Sequence, residues 1–129
     1  MTNASQNAAA ADSLESSPVA VVKLYDTIML HINRAGAAAS AGDYQAQFTE
    51  VMNATRIIDG LNRCLDMDQG GRTAQSLRDM YEAVSRALLR SVGKTSGAEA
   101  CERLVGAVAE TRDAWATIAG VPLLKPELQ

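Results

Sequence analysis

The chain has 129 residues, of which 47% are hydrophobic and only 4% aromatic, a size that fits one domain. Its 12 Lys and Arg against 15 Asp and Glu give a net charge of −3, which offers no attractive field to nucleic acid or to an anionic membrane. No apolar run approaches the roughly 20 residues of a membrane-spanning helix, so we expect a cytoplasmic protein with no nucleic-acid partner and no membrane insertion.

The N-terminal part predicts a tail followed by a first helix. Residues 1–16 are mostly small and polar, and ordering them would cost backbone entropy without burying apolar area, so we expect a flexible segment. Ser17 followed by Pro18 is typical of a helix start. The helix is expected to reach about Ala41, with an apolar stripe at three- and four-residue spacing: Val21, Val22, Tyr25, Ile28, Met29, Ile32, Ala35 and Ala39.

A second helix is predicted directly after the first. Gly42 can take the left-handed conformation that ends a helix, and Asp43 can cap the next one. Because this link is so short, the two helices should be antiparallel neighbours. The expected stripe is Tyr44, Phe48, Val51, Thr55, Ile58, Asn62 and Leu65, widened on one flank by Ala54, Ile57 and Leu61.

Paired glycines separate the second helix from a third. In the segment 66–71, Gly70 and Gly71 break the helix, and acidic side chains can accept hydrogen bonds from neighbouring backbone N–H groups. The third helix should begin near Arg72 and end at Gly93. Its expected inward residues are Ala74, Leu77, Met80, Tyr81, Val84, Leu88 and Ser91.

The fourth helix is predicted to begin after Ser96, which with Glu99 forms a possible capping box. Gly120 and Pro122 should end it. Its expected stripe is Cys101, Leu104, Val105, Val108, Thr111, Trp115 and Ile118.

These four helices predict an all-α fold, an antiparallel four-helix bundle with a flexible N-terminal segment. The expected organisation is a tail at 1–16, the bundle at 17–120 and a short C-terminal tail at 121–129. Each helix of about twenty residues would be about 30 Å long.

The sequence lacks the residues that bundle enzymes and metal proteins use. A di-metal bundle needs Glu-x-x-His pairs, but His31 is the only histidine and has no such partner. Cys64 and Cys101 lie at inward positions of the predicted helices without metal-ligand spacing, so we interpret both as reduced packing residues. We therefore expect no catalytic residues, no cofactor and no metal site.

His31 supports one alternative function. An exposed helical histidine with a basic residue about one turn further on is typical of histidine phosphotransfer domains, which are also four-helix bundles. Here Arg34 supplies the basic residue, but the following Gly36 falls one position later than in that pattern.

A surplus of apolar residues near the stripe edges supports a binding function. Leu30, Ile57, Leu61 and Leu89 fall toward or beyond the edge of their stripes. Ile57 and Leu61 stand one turn apart, so they either pack in a broad core or form one wall of a groove for a partner helix. A homodimerising helical adaptor that uses this flank is a further alternative, and it predicts a homodimer without client.

Several motifs together resemble the FliS family of flagellin export chaperones. They are Leu24-Tyr25-Asp26, Gly42-Asp43, Ile57-Ile58 with Leu61, and Ala114-Trp115. The most specific is the turn Leu65-Asp66-Met67-Asp68-Gln69-Gly70-Gly71, followed by Ala74, Leu77 and Tyr81.

The resemblance implies a non-enzymatic chaperone. Such a protein binds the disordered C-terminal segment of flagellin, prevents premature polymerisation, and delivers it to the flagellar type III export apparatus through contact with the export gate. The expected flagellin contacts face one another across the second and third helices: Ile57, Leu61, Leu65, Met67, Ala74, Leu77 and Tyr81.

Overall fold

The computed structural model describes residues 17–124 and shows four α-helices packed antiparallel. They are α1 (Pro18–Ser40), α2 (Tyr44–Arg63), α3 (Gly71–Ser91) and α4 (Gly97–Ala119). The predicted all-α fold is therefore confirmed. The predicted tail at 1–16 and residues 125–129 of the predicted C-terminal tail lie outside the described residues.

The helix boundaries follow from local capping, as the sequence predicts. The Ser17 hydroxyl accepts a hydrogen bond from the N–H of Ala20 at 3.4 Å, and the Asp43 carboxylate accepts one from Ala46 at 3.0 Å. Gly42 has a φ of 73°, the left-handed conformation that glycine adopts without a Cβ clash. Gly42 and the Asp43 cap reverse the chain between α1 and α2 within three residues, while Ser17 fixes the start of α1.

The core lies along α1, which packs extensively against both α4 and α2. The contacts of α3 with α2 and α4 are sparser, so α3 stands further from the rest of the bundle. The largest fully buried apolar side chains of the core come from all four helices: Tyr25, Ile28, Ile32, Val51, Ile58, Leu88 and Cys101.

The predicted stripe of α2 is wrong at its N-terminal end. Tyr44 and Phe48 are exposed, Phe48 to 49%, whereas Gln47 is completely buried. The Gln47 amide donates to the carbonyl oxygen of Ser91 at 3.1 Å and accepts from the N–H of Gly93 at 3.2 Å. Because these bonds satisfy the end of α3, a polar residue takes the inward position and the neighbouring aromatic rings turn outward.

Two further expectations, one about α4 and one about α2, are corrected. Ile118 is 69% exposed, because α4 turns Trp115 and Ala116 toward the bundle in its last turns. Cys64 is exposed at the C-cap of α2, so only Cys101 is a buried cysteine.

The capping box at the start of α4 is also absent. Ser96 is the N-cap, but its side chain makes no capping hydrogen bond. Its ψ of 8° departs from the extended backbone that directs an N-cap hydroxyl toward the first turn. The preceding turn instead satisfies Gly97, whose N–H donates to the carbonyl oxygen of Lys94 at 3.0 Å. Within residues 17–124, no helix is long and apolar enough to cross a membrane.

Candidate partner-binding site

An apolar pocket of about 320 Å³ opens at the end of the bundle where α1 and α3 begin and α2 and α4 end. We call it the α2–α3 pocket, because most of its walls come from the end of α2, the following turn and the start of α3. Its lining residues are Val21, Leu61, Cys64, Leu65, Asp66, Gly70, Thr73, Ala74, Leu77, Tyr81 and Trp115.

The turn between α2 and α3 shapes the rim of this pocket. The Asp66 carboxylate accepts hydrogen bonds from the N–H groups of Asp68 at 3.1 Å and Gln69 at 2.9 Å, as the sequence predicts. A Cβ on Gly70 would lie 2.5 Å from the Cβ of Ala74 and 2.6 Å from the carbonyl oxygen of Asp66. Gly71 has a φ of 58°. The two glycines are therefore needed for different reasons, Gly70 for space and Gly71 for its conformation.

Two tyrosines and a tryptophan join three helices beside the pocket. The hydroxyls of Tyr25 and Tyr81 lie 2.6 Å apart, and their rings meet edge to face with centroids separated by 6.3 Å. Trp115 lies beside the Tyr25 hydroxyl and partly offsets the rise of its pKa. Burial raises the pKa of both tyrosine hydroxyls above the ordinary value, so both stay neutral at physiological pH. The prediction that both tyrosines lie on inward stripes is confirmed.

Five of the seven residues expected to contact a partner line this one pocket: Leu61, Leu65, Ala74, Leu77 and Tyr81. Ile57 and Met67 are not among the lining residues. Ile57 is half-buried and packs against the core one turn before Leu61, and Met67 is half-buried in the turn. The structure thus places most of the expected residues together.

Sequence reasoning missed two walls of the pocket. Helical spacing places Val21 and Trp115 on inward stripes, which predicts core residues, yet both line the pocket. Helical periodicity predicts the inward face of each helix, but it does not predict where the inward faces of two helices leave a pocket between them. The Ala114-Trp115 motif was the one available signal for this end of α4.

A buried arginine ties the same end of the bundle together, and no sequence pattern indicated it. The Arg112 Nε donates to the Asp26 carboxylate at 2.8 Å, and Nη1 donates to Asp113 at 3.1 Å and to the carbonyl oxygen of Pro122 at 2.8 Å. Asp113 in turn accepts from the N–H of Leu124 at 3.0 Å. These bonds hold α4 to α1 and fold residues 121–124 back onto α4.

His31 is not the exposed histidine that the phosphotransfer alternative requires. Its Nδ1 lies 2.7 Å from the Glu50 Oε1, and the side chain is 17% exposed. A carboxylate on α2 therefore occupies one of the two ring nitrogens, and most of the side chain is covered. Among the described residues, no cluster of three or more His, Cys, Asp or Glu side chains could hold a metal ion.

Comparison with known proteins agrees with this architecture. The family model described as "Flagellar protein FliS" matches residues 1–122. The chain is also similar to the flagellar secretion chaperone FliS of Salmonella typhimurium (strain LT2), with 30% identity over 107 residues that cover 81% of this chain and 78% of the Salmonella protein. A match of this extent includes all four helices. The chain therefore belongs to the FliS family, a family of flagellar secretion chaperones rather than enzymes.

Proposed function

We propose that this chain is a cytoplasmic chaperone for the disordered C-terminal segment of flagellin. It holds the segment, prevents premature polymerisation, and delivers the client to the flagellar type III export apparatus through contact with the export gate. The α2–α3 pocket is the observation that carries this proposal, because it leaves apolar side chains of a well-packed bundle open for a partner.

The size of the pocket bears on how the client binds. A cavity of about 320 Å³ is at the lower end of the range for small-ligand sites, so it takes a few anchoring side chains rather than a whole helix. Folding a disordered segment on binding costs about 2 to 5 kcal/mol. The client therefore needs contacts beyond the pocket, and Ile57 and Met67 adjoin it on α2 and the turn.

Our proposed flagellin contacts remain Ile57, Leu61, Leu65 and Met67 on one side and Ala74, Leu77 and Tyr81 on the other. The client's apolar face enters between them. The Asp66 carboxylate, which is bound to the turn, lines the rim and favours a client whose flanking residues are polar or basic.

The test is calorimetry with the C-terminal flagellin segment from the same source. Leu61→Asp should weaken binding at least tenfold, because it places a charge on an apolar wall. Leu30→Asp is the matched control, since Leu30 is 46% exposed on α1 and does not line the pocket. Circular dichroism establishes that both variants fold.

Two results would contradict the proposal. Wild-type protein that does not bind the segment at tens of micromolar removes flagellin as the client, and equal affinities of the two variants remove the pocket. Sedimentation of the protein without client distinguishes the chaperone from the homodimerising alternative. A homodimerising adaptor would show a mass that rises with protein concentration, and Leu61→Asp would abolish that rise.

A further inference from the structure

The α2–α3 pocket has a polar group set into its apolar wall. Tyr81 lines the pocket and is 4% exposed, whereas Tyr25 is completely buried and is not a lining residue. The two hydroxyls share one hydrogen bond of 2.6 Å. The direction of that bond decides which tyrosine keeps a proton for another partner.

The proton count favours one direction. Tyr25 is completely buried, and its hydroxyl lies 2.6 Å from the Tyr81 hydroxyl. If Tyr81 donated to Tyr25, the Tyr25 proton would be buried without a partner, which is costly. If Tyr25 donates to Tyr81, the buried Tyr25 proton has a partner. The one remaining proton then belongs to Tyr81, beside the pocket.

We propose that the Tyr81 hydroxyl is a specificity-determining donor of the pocket. It selects a client segment whose apolar face carries a hydrogen-bond acceptor, an amide, hydroxyl or carbonyl oxygen. The inference rests on the proposed function, because it takes the client to be a segment that enters this pocket. Cys64 lines the same pocket and lies near Tyr81, but sulfur is a weak acceptor and an oxygen of the client displaces it.

Calorimetry with the C-terminal flagellin segment tests the donor. Tyr81→Phe keeps the ring and removes the donor, so binding should weaken about tenfold. Tyr25→Phe is the matched control: it breaks the same bond between the two rings but leaves the Tyr81 proton in place, so affinity should stay within about twofold of wild type. Equal affinities of the two variants, whether both reduced or both unchanged, would overturn the proposal.

Hydroxyl-proton NMR of the free protein tests the direction of the bond without a client. The Tyr25 proton should be protected from exchange with water, and the Tyr81 proton should exchange rapidly. Protection of Tyr81 instead of Tyr25 would overturn the proposal. Wild-type protein that fails to bind flagellin overturns the proposed function, and the exchange measurement still decides which hydroxyl is the donor.

Discussion

Replacing Gln47 with methionine should destabilise the fold without touching the pocket. Methionine keeps the unbranched shape of glutamine but removes the amide, whose oxygen and nitrogen bond the end of α3. The carbonyl oxygen of Ser91 keeps a second hydrogen bond from the N–H of Lys94 at 3.3 Å, and Gly93 is exposed enough for water to replace its partner. A third bond, from the amide nitrogen to the Ser91 hydroxyl oxygen, is long at 3.4 Å and adds little. The loss is therefore mainly that of two ordinary hydrogen bonds rather than of two orphaned groups.

Each such bond contributes about 1 kcal/mol, so Gln47→Met should lower the free energy of unfolding by about 2 kcal/mol. For a domain of this size the melting temperature should fall by about 8 °C. Gln45→Met is the control, because Gln45 lies on the exposed face of the same helix and should change stability by less than about 0.5 kcal/mol.

Urea denaturation followed by circular dichroism measures both variants. The midpoint should shift for Gln47→Met while the slope stays constant, because the area exposed on unfolding is unchanged. A Gln47 variant as stable as the Gln45 variant would refute the reasoning, and it would mean that the buried amide gains nothing over a thioether at this position.

Two further predictions concern stability. Gly60→Ala should stabilise the protein by about 0.5 to 1 kcal/mol, because Gly60 lies inside a helix and a Cβ there meets open space. Gly42→Ala should destabilise it by about 1 to 2 kcal/mol, because residue 42 has a φ of 73°. The urea midpoints of the two variants should shift in opposite directions from that of the wild type. Stability should begin to fall near pH 9, because burial raises the folded-state pKa of Cys101 and the thiol of the unfolded chain ionises first. It should fall more steeply above about pH 10, because burial also raises the folded-state pKa of Tyr25 and Tyr81. Melting curves from pH 8 to 11 should show a shallower fall when both tyrosines are phenylalanine, and an unchanged fall would contradict this account.

Helix boundaries were predictable from the sequence because their causes are local. The Ser17 and Asp43 caps and the glycines at 42 and 120 act within one turn, and each has the expected conformation. The capping box predicted at Ser96 is absent. The preceding turn gives Ser96 a backbone conformation outside the extended region that a capping hydroxyl needs.

The facing of α2 was less predictable, because it depends on the end of another helix. Periodicity favours the aromatic ring of Phe48 over the amide of Gln47 as the inward residue. The hydrogen bonds that Gln47 makes to the end of α3 reverse that preference, and Ser91 lies 44 positions further along the chain. Arg112 was missed in the same way, since its partner Asp26 is 86 positions away on α1.

The pocket stays open because polar contacts fix the helices around it. Filling it would bury Leu61 and Leu65, so apolar burial alone would draw the start of α3 onto the end of α2. Arg78 donates to the Asn62 side chain at 3.3 Å and links the two helices beside the pocket, while the Asp66 carboxylate holds the turn between them through the N–H groups of Asp68 and Gln69. These polar contacts form without a client. A partner that enters the pocket can therefore bury the apolar side chains of Leu61 and Leu65 that the bundle leaves uncovered.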